Sequence, residues 1–231
     1  MLFTKKRTPE QLQFLHAVFT PALITLAFVL VFILERGLGA DFHKAGIMPR
    51  DFSKIWNILS YIFIHADWGH LLNNSISFLV LGTCLFFFYK QLSYSVLLFS
   101  WILSGIILWS IGRESWHIGA SGLIYSIAFF LFFSGLIRKH IPLIAISLII
   151  TFLYGSMVWH LFPWQVNDPI SWEGHLAGGI TGLIMSIIFR KSGPQKPITI
   201  WDEEESDEEE NSNEIDFQLD NTNEQDIKEL N

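Results

Sequence analysis

The sequence predicts an all-α polytopic membrane protein: a six-transmembrane-helix bundle with a membrane-embedded first loop and a disordered acidic C-terminal tail. Three observations predict it. Of the 231 residues, 51% are hydrophobic and only 16% are charged, with 21 Phe and 9 Trp. Six stretches are long and apolar enough, or nearly so, to cross a hydrocarbon core, which takes about 20 residues of helix (about 17–25). The charges are also segregated. Residues 202–231 hold 14 of the 22 acids and one base, Lys228, so the tail carries −13 and residues 1–201 carry +6. The acidic balance describes the tail and not the body.

The elements follow in order. Residues 1–13 read as a short cytoplasmic N-terminus with "KKR" at 5–7. The first apolar run, about 14–35, is too long for a signal-peptide core of about 7–15 residues and reads as an anchor that stays. Residues 36–69 mix Trp, Phe, Ile and Tyr with few charges, which suits an interfacial, partly embedded loop. Further spans are expected at about 70–89, 95–112, 121–137, 141–161 and 174–190. The fourth and sixth are short and Gly-rich, which a helix tolerates when neighbouring helices cover it.

With six spans the termini share a side. That side then carries nine bases (Lys5, Lys6, Arg7, Lys90, Arg138, Lys139, Arg190, Lys191 and Lys196) against five opposite. The bias places both termini in the cytoplasm of a cell membrane. The loop at 162–173, with Pro163, Trp164, Pro169 and Trp172, reads as an interfacial cap. Residues 193–231 cannot bury enough apolar surface to fold and read as a disordered acidic cytoplasmic tail, a spacer or a docking segment. This leaves 14–192 as the helical domain. Cys84 is alone and makes no intramolecular disulfide.

Polar residues inside apolar spans are costly and often functional. Ser121 lies in "GASG", between Gly119 and Gly122, where the fourth span starts. A serine at a helix N-terminus has unpaired backbone N–H groups and the positive end of the dipole beside it. Taken alone, "GASG" is equally a packing motif of small residues. His175 opens the sixth span, and Gly178 and Gly182 after it fall four apart on one face, so another helix can approach closely. An imidazole beside Ser121 is a suitable general base. Tyr125, one turn after Ser121, either orients that ring or is a core aromatic. His70 and Asn74 share a helical face and both can donate hydrogen bonds. With the Ser121 backbone N–H they form a candidate oxyanion hole, or else they satisfy a polar helix end. His65, five before His70, is expected to point elsewhere and brace the loop.

These motifs together resemble the rhomboid family of intramembrane serine proteases, in its six-helix bacterial form. The family's first pattern falls on His65, His70 and Asn74. Its GxSG motif falls on Gly119, Ala120, Ser121 and Gly122, with the tyrosine four on at Tyr125. Its last-helix pattern falls on His175, Gly178 and Gly182. Two positions depart from the pattern. Asn57 follows Trp56 where the family often has arginine, which bears on anchoring of the first loop. Gly174 stands where alanine often precedes the histidine.

The resemblance implies a rhomboid-like bundle and a serine-type endopeptidase. It implies a Ser121–His175 dyad without a carboxylate partner, and transmembrane proteins as substrates. No metal, cofactor or nucleic-acid partner is expected. A zinc protease would need a His-Glu-x-x-His helix, and an aspartyl protease two aspartates within spans. A transporter would bring repeats or broken helices. The remaining alternative is a catalytically silent relative that binds transmembrane clients.

Overall fold

The computed structural model describes residues 8–162 and 171–196. The chain divides into two units, Met1–Gln195 and Lys196–Asn231, and every described element lies in the first. Among the described residues six α-helices run in order: α1 (Pro9–Leu38), α2 (Trp68–Phe88), α3 (Ser93–Ile111), α4 (Ser121–Arg138), α5 (Ile141–Tyr154) and α6 (Trp172–Ile188). Among the described residues there is no strand beyond one isolated antiparallel bridge, Ile47 with His117. Helices α1 to α4 are long and apolar enough to cross a membrane; α5 is a shorter apolar helix. The acidic segment expected at 202–231 lies outside the described residues. So do Pro163, Trp164 and Pro169 of the expected cap.

Two helices differ from expectation at their ends, and local chemistry accounts for both. Helix α1 begins at Pro9 and not near residue 14, because Thr8 and Gln11 form a reciprocal capping box and Pro9 takes the first helical position. The run expected as one helix over 141–161 is α5 followed by a tight 3₁₀ stretch, Gly155–Leu161. The α-helical ladder ends where the Gly155 N–H closes on Thr151. Glycine gains little from continuing a helix.

The loop between α1 and α2 is built of short 3₁₀ turns at His43–Ala45, Phe52–Leu59 and Tyr61–Phe63. It is anchored despite lacking the arginine expected after Trp56. The Asn57 amide donates to the Lys44 carbonyl at 3.0 Å and to the Gly46 carbonyl at 2.7 Å. Ser60 donates to Ala45 at 2.6 Å. Phe52 and Trp56 stay largely exposed, as residues of an interfacial surface do.

Helix α4 is the centre of the bundle. Two thirds of its span window (67%) is buried, against 22% for α1. It packs most extensively on α6 and also meets α5, α3 and α2. Small residues and hydroxyls carry these contacts. Ser126 donates to Ser100 across α4 and α3 at 2.8 Å. Ser147 of α5 donates to the Phe132 carbonyl at 2.9 Å. On the far side of the bundle, Gly82 of α2 lets Pro21 of α1 approach; a Cβ there would stand 3.1 Å from the proline ring. Where two apolar surfaces gain nothing by leaving lipid for each other, close packing and interhelical hydrogen bonds supply the association.

At the end of α4, Arg138 is buried. Its guanidinium bonds Ser134 of its own helix and donates at 2.6 Å to the carbonyls of Phe189 and Ser192, just past α6. It also lies 5.3 Å from the centre of the Tyr89 ring, at the end of α2. One cation therefore caps the C-terminal end of α6, where the helix dipole favours positive charge, and ties three helices together. Arg138→Ala leaves those carbonyls without their donor and is expected to destabilise the bundle by about 2–4 kcal/mol. Arg138→Lys recovers only part of this, since an ammonium lacks the planar fork. Thermal unfolding of the two variants in detergent checks the order.

Candidate active site

The α4–α6 contact is a contact of backbones. A Cβ at Gly178 would collide with the Gly122 carbonyl and lie 2.9 Å from Tyr125 Cβ. One at Gly182 would collide with the Ser126 carbonyl and lie 2.7 Å from Phe129 Cβ. In return, a Cβ at Gly122 would stand 3.1 Å from the Gly174 carbonyl. Gly178 and Gly182 are therefore required by approach distance, while at Gly122 the fit is tight.

This approach brings the His175 ring onto Tyr125. The two rings stack with centroids 4.2 Å apart and planes 6° from parallel. Tyr125 is itself buried, so both readings left open for it, core aromatic and ring support, describe its surroundings. Ser121 lies one helical turn before Tyr125 on the same face, at the first position of α4. His175 is buried, and its Nδ1 lies 3.0 Å from the His160 carbonyl. A carbonyl only accepts, so Nδ1 carries the proton and Nε2 is the basic nitrogen of the neutral ring.

Gly119 sits on the other side of the serine turn. Its φ is +102°, a backbone that L side chains rarely adopt. A Cβ there would meet His70 Nε2 at 2.5 Å and Asn74 Nδ2 at 3.2 Å. The turn is pinned by the Gly119 N–H donating to the Tyr61 carbonyl at 2.9 Å. Asp67 caps α2 by accepting from the His70 N–H at 2.9 Å, and that bond is the main reason its carboxyl lies below the usual range. The Asn74 amide nitrogen is buried and has no partner among the described residues. A buried donor beside a helix N-terminus suits an oxygen that gains negative charge.

His65 does not point elsewhere. Its ring meets the His70 ring edge to face at 5.1 Å and packs on Phe28 at 5.4 Å. Its Nδ1 lies 3.3 Å from the Phe63 carbonyl. The reason is the extended turn between the two histidines: α2 begins only at Trp68, so helical spacing does not apply to residue 65.

Sequence reasoning missed the groups that hold these elements. His160 gave no signal, because its contribution is a carbonyl. Ser171 caps α6 by accepting from the Gly174 N–H at 3.1 Å; a serine three before a glycine at the helix start was the readable sign. Buried Glu173 pairs with Arg113 at 3.6 Å. His117, on the loop before α4, bonds Ser171. Among the described residues no cluster of His, Cys, Asp or Glu is placed to hold a metal.

Burial, and next the nearby His70, push the His65 pKa from 6.5 down to about 4. Between those values the unfolded chain binds more protons than the folded one. The stability that this neutral ring contributes is therefore complete above pH 6.5 and is lost as pH falls towards about 4. The expected loss at pH 5 is about 2 kcal/mol. Comparing the pH dependence of unfolding for wild type and His65→Gln checks it, with the variant expected to show the shallower fall.

Comparison with known proteins agrees with the architecture. Residues 53–192 match the Rhomboid domain family model. An uncharacterized protein of Mycobacterium tuberculosis is 31% identical over 175 residues, covering 72% of this chain and 72% of that protein. Rhomboid-related protein 1 of Caenorhabditis elegans is 28% identical over 147 residues, covering 61% of this chain and 41% of that protein. Rhomboid-related protein 2 of Mus musculus is 28% identical over 145 residues, covering 58% and 48%. The family match spans more than half of the chain, on a scaffold of apolar helices with the motif residues gathered at one end of α2, α4 and α6: the chain is a multi-pass membrane protein and belongs to the rhomboid family.

Proposed function

We propose that the chain is an intramembrane serine endopeptidase that cleaves transmembrane segments of single-span membrane proteins. The observation that carries this reading is the stack of His175 on Tyr125, one turn from Ser121, at a helix contact that only glycines permit. Ser121 is the nucleophile and His175 Nε2 the general base. The base takes the hydroxyl proton as Ser121 Oγ attacks a peptide carbonyl carbon. His70, the Asn74 amide and the Ser121 backbone N–H face the oxygen that becomes negative. His175 then gives the proton to the leaving amine, and water, activated by the same ring, releases the acyl group and restores the hydroxyl.

Glu173 is committed to Arg113, so the base works without a carboxylate and is oriented instead by the His160 carbonyl and the Tyr125 face. Such variants fall within the logic of the serine triad. In this reading α5 with its 3₁₀ extension and α6 complete six spans. Both termini are cytoplasmic in a cell membrane, and the site opens on the outer face.

Purified protein in detergent or liposomes with a single-span reporter tests the reading. Ser121→Ala and His175→Ala are expected to abolish cleavage. Asn74→Ala and His70→Ala are expected to lower kcat by about 10²–10³-fold while changing KM little. Cleavage by Ser121→Ala at the wild-type rate would refute the assignment. Wild-type protein that binds several reporters but neither cleaves them nor labels at Ser121 with a fluorophosphonate would favour a silent client-binding role.

A further inference from the structure

His117 is a buried imidazole that the proposed chemistry does not use. It is 2% exposed, in the loop between α3 and α4. Its backbone exchanges two hydrogen bonds with Ile47 of the first loop, at 2.8 and 2.9 Å. Its side chain faces two other elements. Nε2 lies 3.1 Å from the Arg113 carbonyl and 3.4 Å from Ser115 Oγ. Nδ1 lies 2.6 Å from Ser171 Oγ, the cap of α6.

These distances fix the protons. A carbonyl accepts, so Nε2 is the protonated nitrogen and Nδ1 is an acceptor. The Ser171 hydroxyl therefore donates to His117. Its oxygen keeps a lone pair for the Gly174 N–H, 3.1 Å away. The same residue's carbonyl accepts from the N–H groups of Gly174 at 3.1 Å and His175 at 3.3 Å. Burial pushes the His117 pKa below the usual value, with the Arg113 carbonyl and the Glu173 charge opposing, which agrees with a neutral ring. Ser171 thus meets α6 through both its oxygens, and its hydroxyl is directed by His117.

We propose that His117 is a positioning residue: by holding the Ser171 cap it sets the first turn of α6, and through that turn the placement of the His175 ring against Tyr125 and Ser121. The loop that carries His117 runs directly into Gly119 and Ser121, so one ring ties the serine turn to the start of the histidine helix. The chain of contacts is His117 Nδ1, Ser171 Oγ and the Gly174 amide, with the His175 amide held by the carbonyl of the same Ser171. Its effect on rate rests on the endopeptidase reading; its effect on the helix end does not.

Two substitutions separate the two bonds of the ring. Asn at 117 places an amide oxygen near the Nδ1 position and can accept from Ser171. Gln places an amide nitrogen near the Nε2 position and keeps only the bond to Arg113. His117→Gln and His117→Phe are expected to lower kcat by about 10–100-fold with KM little changed, the effect of a small misplacement of a reacting group. His117→Asn is expected to restore most of the rate.

Amide hydrogen exchange across residues 171–178, measured on the full-length protein, supplies a readout that needs no activity. It is expected to quicken in the Gln and Phe variants and to stay near wild type in the Asn variant. Equal rates and equal exchange for Asn and Gln would overturn the proposal, as would wild-type kcat in His117→Phe. If wild type itself neither cleaves nor labels at Ser121, the endopeptidase reading fails, while the exchange pattern still decides the role of His117.

Discussion

The arrangement depends on one contact: the passage of α6 across α4 at backbone distance. Gly178 and Gly182 have no side chains because there is no room for them, and at Gly122 the space is tight. Had either helix carried even alanines at these points, the axes would stand further apart. The His175 ring would then lose its seat on Tyr125. A membrane interior makes this demand sharper. Lipid offers no hydrophobic penalty that would push a looser pair of helices back together, so separation must be set by shape.

The second requirement is that every polar group set in an apolar medium have a use or a partner. Ser126 of α4 and Ser147 of α5 meet theirs in neighbouring helices, and Ser104 and Ser110 of α3 in their own backbone. Arg138 meets its partners in carbonyls past α6. Against this background of satisfied groups, the exceptions stand out. The buried atoms without a partner among the described residues include Asn74 Nδ2 and His65 Nε2, near the N-terminal end of α2, along with Thr25 Oγ1 and Arg138 Nε elsewhere in the bundle. Burying such a group without a bond costs stability, and natural proteins carry that cost most often where a ligand or a reaction uses the group.

The helical class was legible because apolar runs of span length have few other readings. The family was legible because three spaced patterns on separate helices coincide. The individual members were less so. Tyr125 reads as core or as support until the ring beneath it is placed. His65 was misjudged because its spacing to His70 was treated as helical when the helix begins between them. Asn57 was read through the arginine it replaces, although an amide reaches two carbonyls as well. The holding groups were almost silent. A carbonyl such as that of His160 has no residue type to announce it, and the bond of His117 to Ser171 joins positions 54 apart in the chain.

The 3₁₀ stretch after α5 carries a consequence of its own. Its His160 carbonyl is the acceptor that fixes which nitrogen of His175 holds the proton. That bond joins a tight, glycine-started turn to a ring seated on a rigid helix pair. If the turn swings outward by an ångström or two, the bond breaks and the preference for one tautomer goes with it. Backbone position at this edge of the bundle and the tautomer of the imidazole are therefore coupled: the closed turn favours the ring with its proton on Nδ1.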